Sequence, residues 1–303
     1  MYHTRPATTA DLPAIHQLIA ACETRLHGRP QTDPDAVAAH LARPGLDPTT
    51  DTRVVHDEDG TLVAHAWVDR RCEIHVHPEH HGQRLGTQLL HWAETRARQT
   101  GIPRITQTIP DTDTGATKLL AAHGYQPLVT SWLLETTTRE PVTPPPPGIT
   151  IRAFQAADAP EAHLVTEDAF DEWQQRRKDF PEWARNTVRR TTFAPAMSPV
   201  AHTRGGQLIG VLIALDDPRN PYGYIESLAV HRDHRNHGIA RHLLRYAFDA
   251  FARNGKPTTT LWTHSETGAL TLYQRVGMTV RRSSTVHAKE LFVGETGAKR
   301  QAS

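Results

Sequence analysis

VHPEHHGQRLGTQLL, from Val76 to Leu90, and VHRDHRNHGIARHLL, from Val230 to Leu244, are two copies of one local pattern set 154 residues apart. Each leaves a β-type run, crosses a short basic turn containing glycine, and enters an amphipathic helix. A turn of this kind aims backbone N–H groups and a helix N-terminus at an anion such as a phosphate. The copies are unequal. The second carries Arg235 and Gly238 where the first carries His81 and Arg84. The duplication sets the architecture, and the inequality directs the search for chemistry to the second copy.

Outward from these turns the two halves of the chain continue to answer each other. Arg5 to Asp11 matches Arg152 to Asp158, each a short strand ending in an Asp placed to cap the next helix. Thr52–His56 and Thr61–Val68 predict a hairpin around Asp59-Gly60, and Val200–Thr203 and Leu208–Leu215 predict its counterpart around Gly205-Gly206. Strands are expected at Arg104–Ile109 and Thr258–Thr263, followed by the matching blocks TGATKLLAAHGY (Thr114–Tyr125) and TGALTLYQRVGM (Thr267–Met278). Each half therefore reads β–α–β–β–β–α–β–α–β. Between them lies PVTPPPPG, Pro141–Gly148, whose prolines favour a semi-rigid polyproline II linker. The resulting division is 1–140, a linker at 141–148, 149–293, and a polar tail at 294–303 expected to be disordered.

A chain of 303 residues has room for about two domains. Its 34 basic and 33 acidic residues balance, so the charge bias of a nucleic-acid binder is absent. It has no apolar run approaching ~18 residues and no signal-peptide core at its start, which points away from membranes and toward the cytoplasm. Two cysteines, Cys22 and Cys72, give no disulfide framework.

Both halves resemble the GNAT acyltransferase superfamily, in which an acyl group passes from a coenzyme A thioester, usually to an amine. The family's coenzyme A signature, Gln/Arg-x-x-Gly-x-Gly/Ala, stands complete as Arg235-Asn236-His237-Gly238-Ile239-Ala240, after a strand and before a helix. The resemblance implies a mixed α/β fold of two tandem domains, each a splayed, mostly antiparallel sheet flanked by helices. It also implies acetyl-CoA as cosubstrate and no metal. Glycine at Gly238 lets backbone approach phosphate, and amides from His237 to Arg241 face the anion. In the strand Tyr224–Val230 the resemblance puts Leu228, Ala229 and Val230 against the pantetheine arm. It makes an amide there, that of Leu228, the stabiliser of the oxyanion.

Aminolysis needs a neutral amine and a protonated leaving thiol. Glu226 is the candidate base, directly or through water, or else a group that only orients an ammonium; a carboxylate near pKa ~4.3 needs help to be a base at neutrality. The resemblance makes Tyr273 the acid: with a pKa of ~10 it holds its proton at neutrality and, lying above the ~8.5 of a thiol, takes it back after protonating a nascent thiolate; the alternative is a packed helix tyrosine. Ser265 stands where the family often has Asn, with shorter reach toward the cofactor arm. In the first half Cys72 aligns with Glu226 and Leu120 with Tyr273, so that half is expected to be non-catalytic.

Between the first strand and the hairpin of the second half, Asp171, Trp173 and Trp183 are candidate acceptor-binding residues. Carboxylates suit a cation and rings bury its carbon frame; a charged helix with buried tryptophans is the competing interpretation. The histidine runs at His75–His81 and His231–His237 could in principle ligate Zn²⁺, but no HExxH or paired Cys spacing accompanies them.

The expectation is an acetyl-CoA-dependent N-acetyltransferase acting on a primary amine of a small molecule in a ternary complex, as a monomer or homodimer. Its two-domain layout is similar to mycothiol synthase and to antibiotic-modifying acetyltransferases. The alternative is a catalytically silent acyl-CoA-binding sensor or scaffold.

Overall fold

The structure, a computed structural model, describes residues 1–30, 32–69, 71–137, 143–171 and 176–292. The first half of the chain runs β1 (His3–Arg5), α1 (Leu12–His27), α2 (Pro34–Leu41), α3 (Pro48–Asp51), β2 (Thr52–His56), β3 (Leu62–Val68), β4 (Cys72–Val76), α4 (Leu85–Gln99), β5 (Arg104–Pro110), α5 (Thr114–Ala122) and β6 (Gln126–Thr136). The second half repeats it as β7 (Ile149–Ala153), α6 (Ala159–Phe170), α7 (Phe180–Asn186), β8 (Pro199–Thr203), β9 (Leu208–Leu215), β10 (Gly223–Val230), α8 (Ile239–Arg253), β11 (Thr259–His264), α9 (Leu270–Arg275) and β12 (Thr279–Glu290). Each half has a second helix before its hairpin that the periodicity did not separate. Its restart signal is Asp then Pro: Asp33 caps α2 with Pro34 at its first turn, and Asp179 caps α7 with Pro181.

Asp11 and Asp158 sit at the N-caps of α1 and α6 yet make no cap bond to them. Each reaches backward instead. Asp11 accepts from the Thr8 amide at 2.7 Å and from both Arg5 guanidinium nitrogens at 2.7 and 2.6 Å. Asp158 accepts from the Gln155 amide and from Arg152, all at 2.7 Å. The ion pair with Arg5 holds the Asp11 carboxyl far below the usual carboxylate range. Burial pushes Asp158 up, but Arg152 and the Gln155 amide outweigh it and bring it below its ordinary value.

The chain forms two compact units, and their limits differ from a cut at the proline-rich segment. One is Met1–Thr130 with the C-terminal stretch from Ser284; the other is Ser131–Ser283. The last strand of each repeat therefore changes unit part-way along its length. Within the first unit β1, β2, β3 and β4 form one antiparallel sheet, and β5 pairs antiparallel with Ser284–Glu290 of β12. Within the second, the order is β7-β8-β9-β10-β11 and then Ser131–Thr136 of β6, antiparallel except between β10 and β11. Part of the linker (141–142) and the tail from residue 294 lie outside the described residues.

β9 is buried along its whole length, LIGVLIAL, as a central strand covered on both faces must be. On one face α8 contributes Ile239, Leu243, Leu244, Ala247, Phe248 and Phe251. On the other, α6 and α7 contribute Ala162, Val165, Ala169, Trp183 and Ala184. Burial of α8 along this stripe fixes where its N-terminus meets the end of β10, and so positions the turn at Arg235–Gly238. Among the described residues no helix is long and apolar enough to cross a membrane.

Candidate active site

β10 and β11 pair in parallel only over Gly223–Ile225 and Thr259–Leu261, and then diverge. On its other edge β10 stays with β9 through Val230, and the next amide, His231, donates to the Ile209 carbonyl at 2.8 Å. Amides alternate edges along a strand. Ala229 therefore faces β9, whereas Leu228 and Val230 turn their N–H groups into the gap left by β11, where no ladder partner stands among the described residues. The gap opens into a cavity of about 800 Å³ inside the second unit. Leu228, Ala229 and Val230 line it, and so do Arg235, Asn236, Gly238, Ile239, Ala240 and Arg241.

The turn is built by backbone conformation. Asn236 and Gly238 both adopt the left-handed region, at φ 65° and 79°. Gly238 caps α8, and a Cβ placed on it would meet no protein atom within 4 Å. The first amides of α8, at Ile239, Ala240 and Arg241, have no intrahelical acceptor and lie at the cavity. These features fit an anionic phosphate cradle. Arg235 has a second task. Its Nε donates to the Val230 carbonyl at 3.3 Å and its Nη2 to the Ala169 carbonyl at 3.2 Å, tying the turn to β10 and α6. His237 is exposed and outside the lining.

Glu226 and Tyr273 also border this cavity. Glu226 is the extra residue of a β-bulge, because the register with β9 shifts between Ile225 and Ser227. A bulge re-aims a side chain out of the strand alternation. Its carboxylate stands 3.6 Å from the Arg190 guanidinium. Tyr273, on α9, is 9% exposed, and burial pushes its hydroxyl up to about 12. The phenol therefore keeps its proton throughout the neutral range.

The remaining candidates fall elsewhere. Ser265 opens a 3-10 turn as an exposed residue outside the lining. The cavity meets Thr263 and Thr267 instead, whose hydroxyls are 2.9 Å apart. Asp171 is bound outward to Arg177 at 2.9 Å. Trp183 is 2% exposed in the core, near Phe180 and His163. Neither borders the cavity, because one is engaged by a surface cation and the other fills the α6–α7 core; Trp173 lies outside the described residues. The sequence reading missed Arg190, Phe170 and Trp262. Trp262 carried a usable signal: it alternates outward between buried Leu261 and Thr263, leaving a large ring 42% exposed.

The first unit keeps the turn and loses the rest. His81 takes the place of Arg235 and reaches the equivalent carbonyl, Val76, with Nε2 at 3.0 Å. Arg84 caps α4 at φ 62°, holding with a side chain the conformation that Gly238 reaches without one. Leu120, at the position of Tyr273, is buried in the core. Cys72 pairs with Val68 on an unbulged ladder, which puts it in register with Ile225, so Glu226 has no counterpart at all. Burial pushes the Cys72 thiol well above its usual range. The histidine runs have local duties: His77 and His231 each accept the amide two residues on, at 3.4 Å, capping equivalent 3-10 turns. Among the described residues no group of three or more His, Cys, Asp or Glu is arranged to hold a metal ion.

The profile of the acetyltransferase (GNAT) family matches residues 12–125 and 162–278, most of both repeats. The chain belongs to the GNAT acetyltransferase family. It is an acyltransferase of tandem-domain type, and the family uses acetyl-CoA. The chain is similar to the crystal structure of a GCN5-related N-acetyltransferase from Sphaerobacter thermophilus, with 29% identity over 97% of this chain and 96% of that one and a TM-score of 0.74. It shares its fold with a tandem GNAT protein from the clavulanic acid biosynthesis pathway, at 17% identity, 97% and 100% coverage, and a TM-score of 0.65. An acetyltransferase of the family from Colwellia psychrerythraea is likewise similar in fold, at 15% identity, 95% and 99% coverage, and a TM-score of 0.56. No curated protein sequence matches the chain.

Proposed function

We propose that the second unit transfers an acetyl group from acetyl-CoA to a primary amine of a small molecule, by direct attack in a ternary complex, and that the first unit does no chemistry. The observation that carries this is the split between β10 and β11. It leaves the Leu228 and Val230 amides facing a cavity that the Gly238 turn, Glu226 and Tyr273 share. Bound acetyl-CoA would supply a thioester with an acyl carbon open to attack and a sulfur that departs.

Each residue then has a task its position suits. The turn from Asn236 through Arg241 holds phosphate with backbone N–H groups. The split edge of β10 takes the pantetheine arm as an added strand would be taken, and the Leu228 amide donates to charge developing on the acyl oxygen. Glu226 draws the proton from the incoming ammonium. The amine nitrogen bonds the acyl carbon, the C–S bond breaks as Tyr273 donates its proton to the departing sulfur, and the second proton shed by the nitrogen passes through solvent to restore Tyr273, whose burial favours the protonated phenol. In the first unit Leu120 and Cys72 can do neither proton transfer.

The test is thiol release from acetyl-CoA with a panel of small amines, with mass spectrometry of the acetylated product. The proposal expects stoichiometric thiol and acetyl-amine. Tight acetyl-CoA binding without thiol release from any amine would make the chain a silent acyl-CoA-binding module.

A further inference from the structure

We propose that Arg190 selects acceptors that carry a carboxylate beside the reactive amine, so that the preferred substrates are amino-acid-like zwitterions; this rests on the acyltransferase function proposed for the second unit. Arg190 follows α7 in a segment whose backbone is fixed. Its N–H donates to the Thr187 carbonyl at 3.1 Å, and its own carbonyl accepts from Phe193 at 3.0 Å. Phe193 forms a bridge with Leu215, and the Asp216 amide donates to the Thr192 carbonyl at 2.7 Å. The guanidinium is therefore presented from a strap bound to the end of β9, next to the bulge that presents Glu226.

The Arg190–Glu226 pair is loose. Its 3.6 Å separation exceeds the ~2.7–2.9 Å of a direct charge-assisted hydrogen bond. In the same unit Arg152–Asp158 and Arg176–Glu182 close to 2.7 and 2.8 Å, and Arg281–Glu135 to 3.3 Å. Among the described residues Glu226 is the only ion-pair partner of Arg190, and both side chains are partly exposed. Arg190 is not itself a lining residue of the cavity; its fork keeps donors open beside Glu226, which is one, in the geometry that suits a planar carboxylate. Tyr224 borders the same two groups: burial and Glu226 push its hydroxyl up and Arg190 brings it down.

A cation and an anion held a few ångströms apart match a ligand of the opposite pattern. The ammonium and carboxylate of an α-amino acid lie about 3 Å from each other by covalent geometry alone. Such an acceptor would set its ammonium against Glu226 and its carboxylate against Arg190. It would also draw Arg190 away from Glu226, leaving that carboxylate free to take a proton.

The experiment measures kcat/KM of the full chain with acetyl-CoA and matched acceptors that differ by one carboxylate: tyrosine and tyramine, histidine and histamine, lysine and cadaverine, ornithine and putrescine. The carboxylate-bearing member of the active pairs is expected to be better by about ten- to a hundredfold, and Arg190→Gln is expected to reduce that ratio to within about threefold, chiefly through KM, with Arg190→Lys intermediate. Thermal melts of both variants establish that they fold. Turnover favouring the decarboxylated amines, or a ratio that survives Arg190→Gln, overturns the assignment while leaving acyl transfer intact. No turnover with any amine refutes acyl transfer itself, and the selectivity with it.

Discussion

Gly238→Ala and Gly82→Ala make a matched pair of perturbations. Both glycines adopt φ 79°, both stand in the turn before the long helix of their repeat, and a Cβ added to either would meet nothing within 4 Å. In the protein alone the two substitutions should cost the same: about 1–2 kcal/mol for placing an L-residue in the left-handed region. At the size of these units that is a fall in Tm of roughly 2–8 °C for each variant. Only Gly238 borders the cavity between β10 and β11. The empty space above it is where phosphate must approach the backbone, so its methyl group should also weaken cosubstrate binding. Losing one charge-assisted contact corresponds to about a ten- to hundredfold rise in KM for acetyl-CoA. Gly82→Ala should leave that KM where it is. Melting curves and initial rates across acetyl-CoA concentration measure both quantities. Equal KM values for the two variants would refute the assignment of the phosphate cradle to the second repeat.

Replacing Glu226 by Gln should lower turnover most near neutrality and least at alkaline pH, where the amine is already deprotonated; a uniform loss in the pH–rate profile would show that the carboxylate binds rather than takes a proton. Asp11→Asn should destabilise the first unit by about 1–3 kcal/mol, since it breaks the ion pair of a buried carboxylate with a partly exposed arginine. The native Asp11 carboxyl titrates below its ordinary value, so its stabilisation is complete above about pH 4 and is lost as the pH falls from there. The difference in urea midpoint between wild type and Asp11→Asn should accordingly be constant from about pH 5 to 7 and begin to narrow by about pH 3 without vanishing, because the native carboxyl still holds its charge there. Gly223→Ala would put a Cβ 2.5 Å from the fully buried Phe251 ring, beside the point where β10 and β11 part. Overpacking of this kind costs about 1–3 kcal/mol, and a melting curve identical to wild type would contradict the close approach.

Much of this was legible in the chain itself because it is local. The hairpins, the turn at Gly238 and the paired blocks around Leu120 and Tyr273 follow from periodicity and turn chemistry within a dozen residues. What escaped is non-local or conformational. The exchange of terminal strands pairs Arg104–Pro110 with Ser284–Glu290, nearly two hundred residues away, and a proline-rich segment gives no hint of it. The bulge at Glu226 is one extra residue in an otherwise regular strand, yet it decides that the first repeat lacks the position as well as the side chain. Asp11 and Asp158 stand at helix caps by sequence, but Arg5 and Arg152 compete for their carboxylates and win. Trp183 looked suited to a pocket and fills a core, whereas Arg190 is one of 34 basic residues, marked only by where the strap places it.

A single working site that uses Tyr273 is tested most directly by Tyr273→Phe. The substitution keeps the ring that fills the α9 core and removes only the proton donor. Turnover should fall about a hundredfold or more, while the dissociation constant for acetyl-CoA, measured by calorimetry, stays within about twofold of wild type. Wild-type turnover in Tyr273→Phe would show that Tyr273 is not the proton donor.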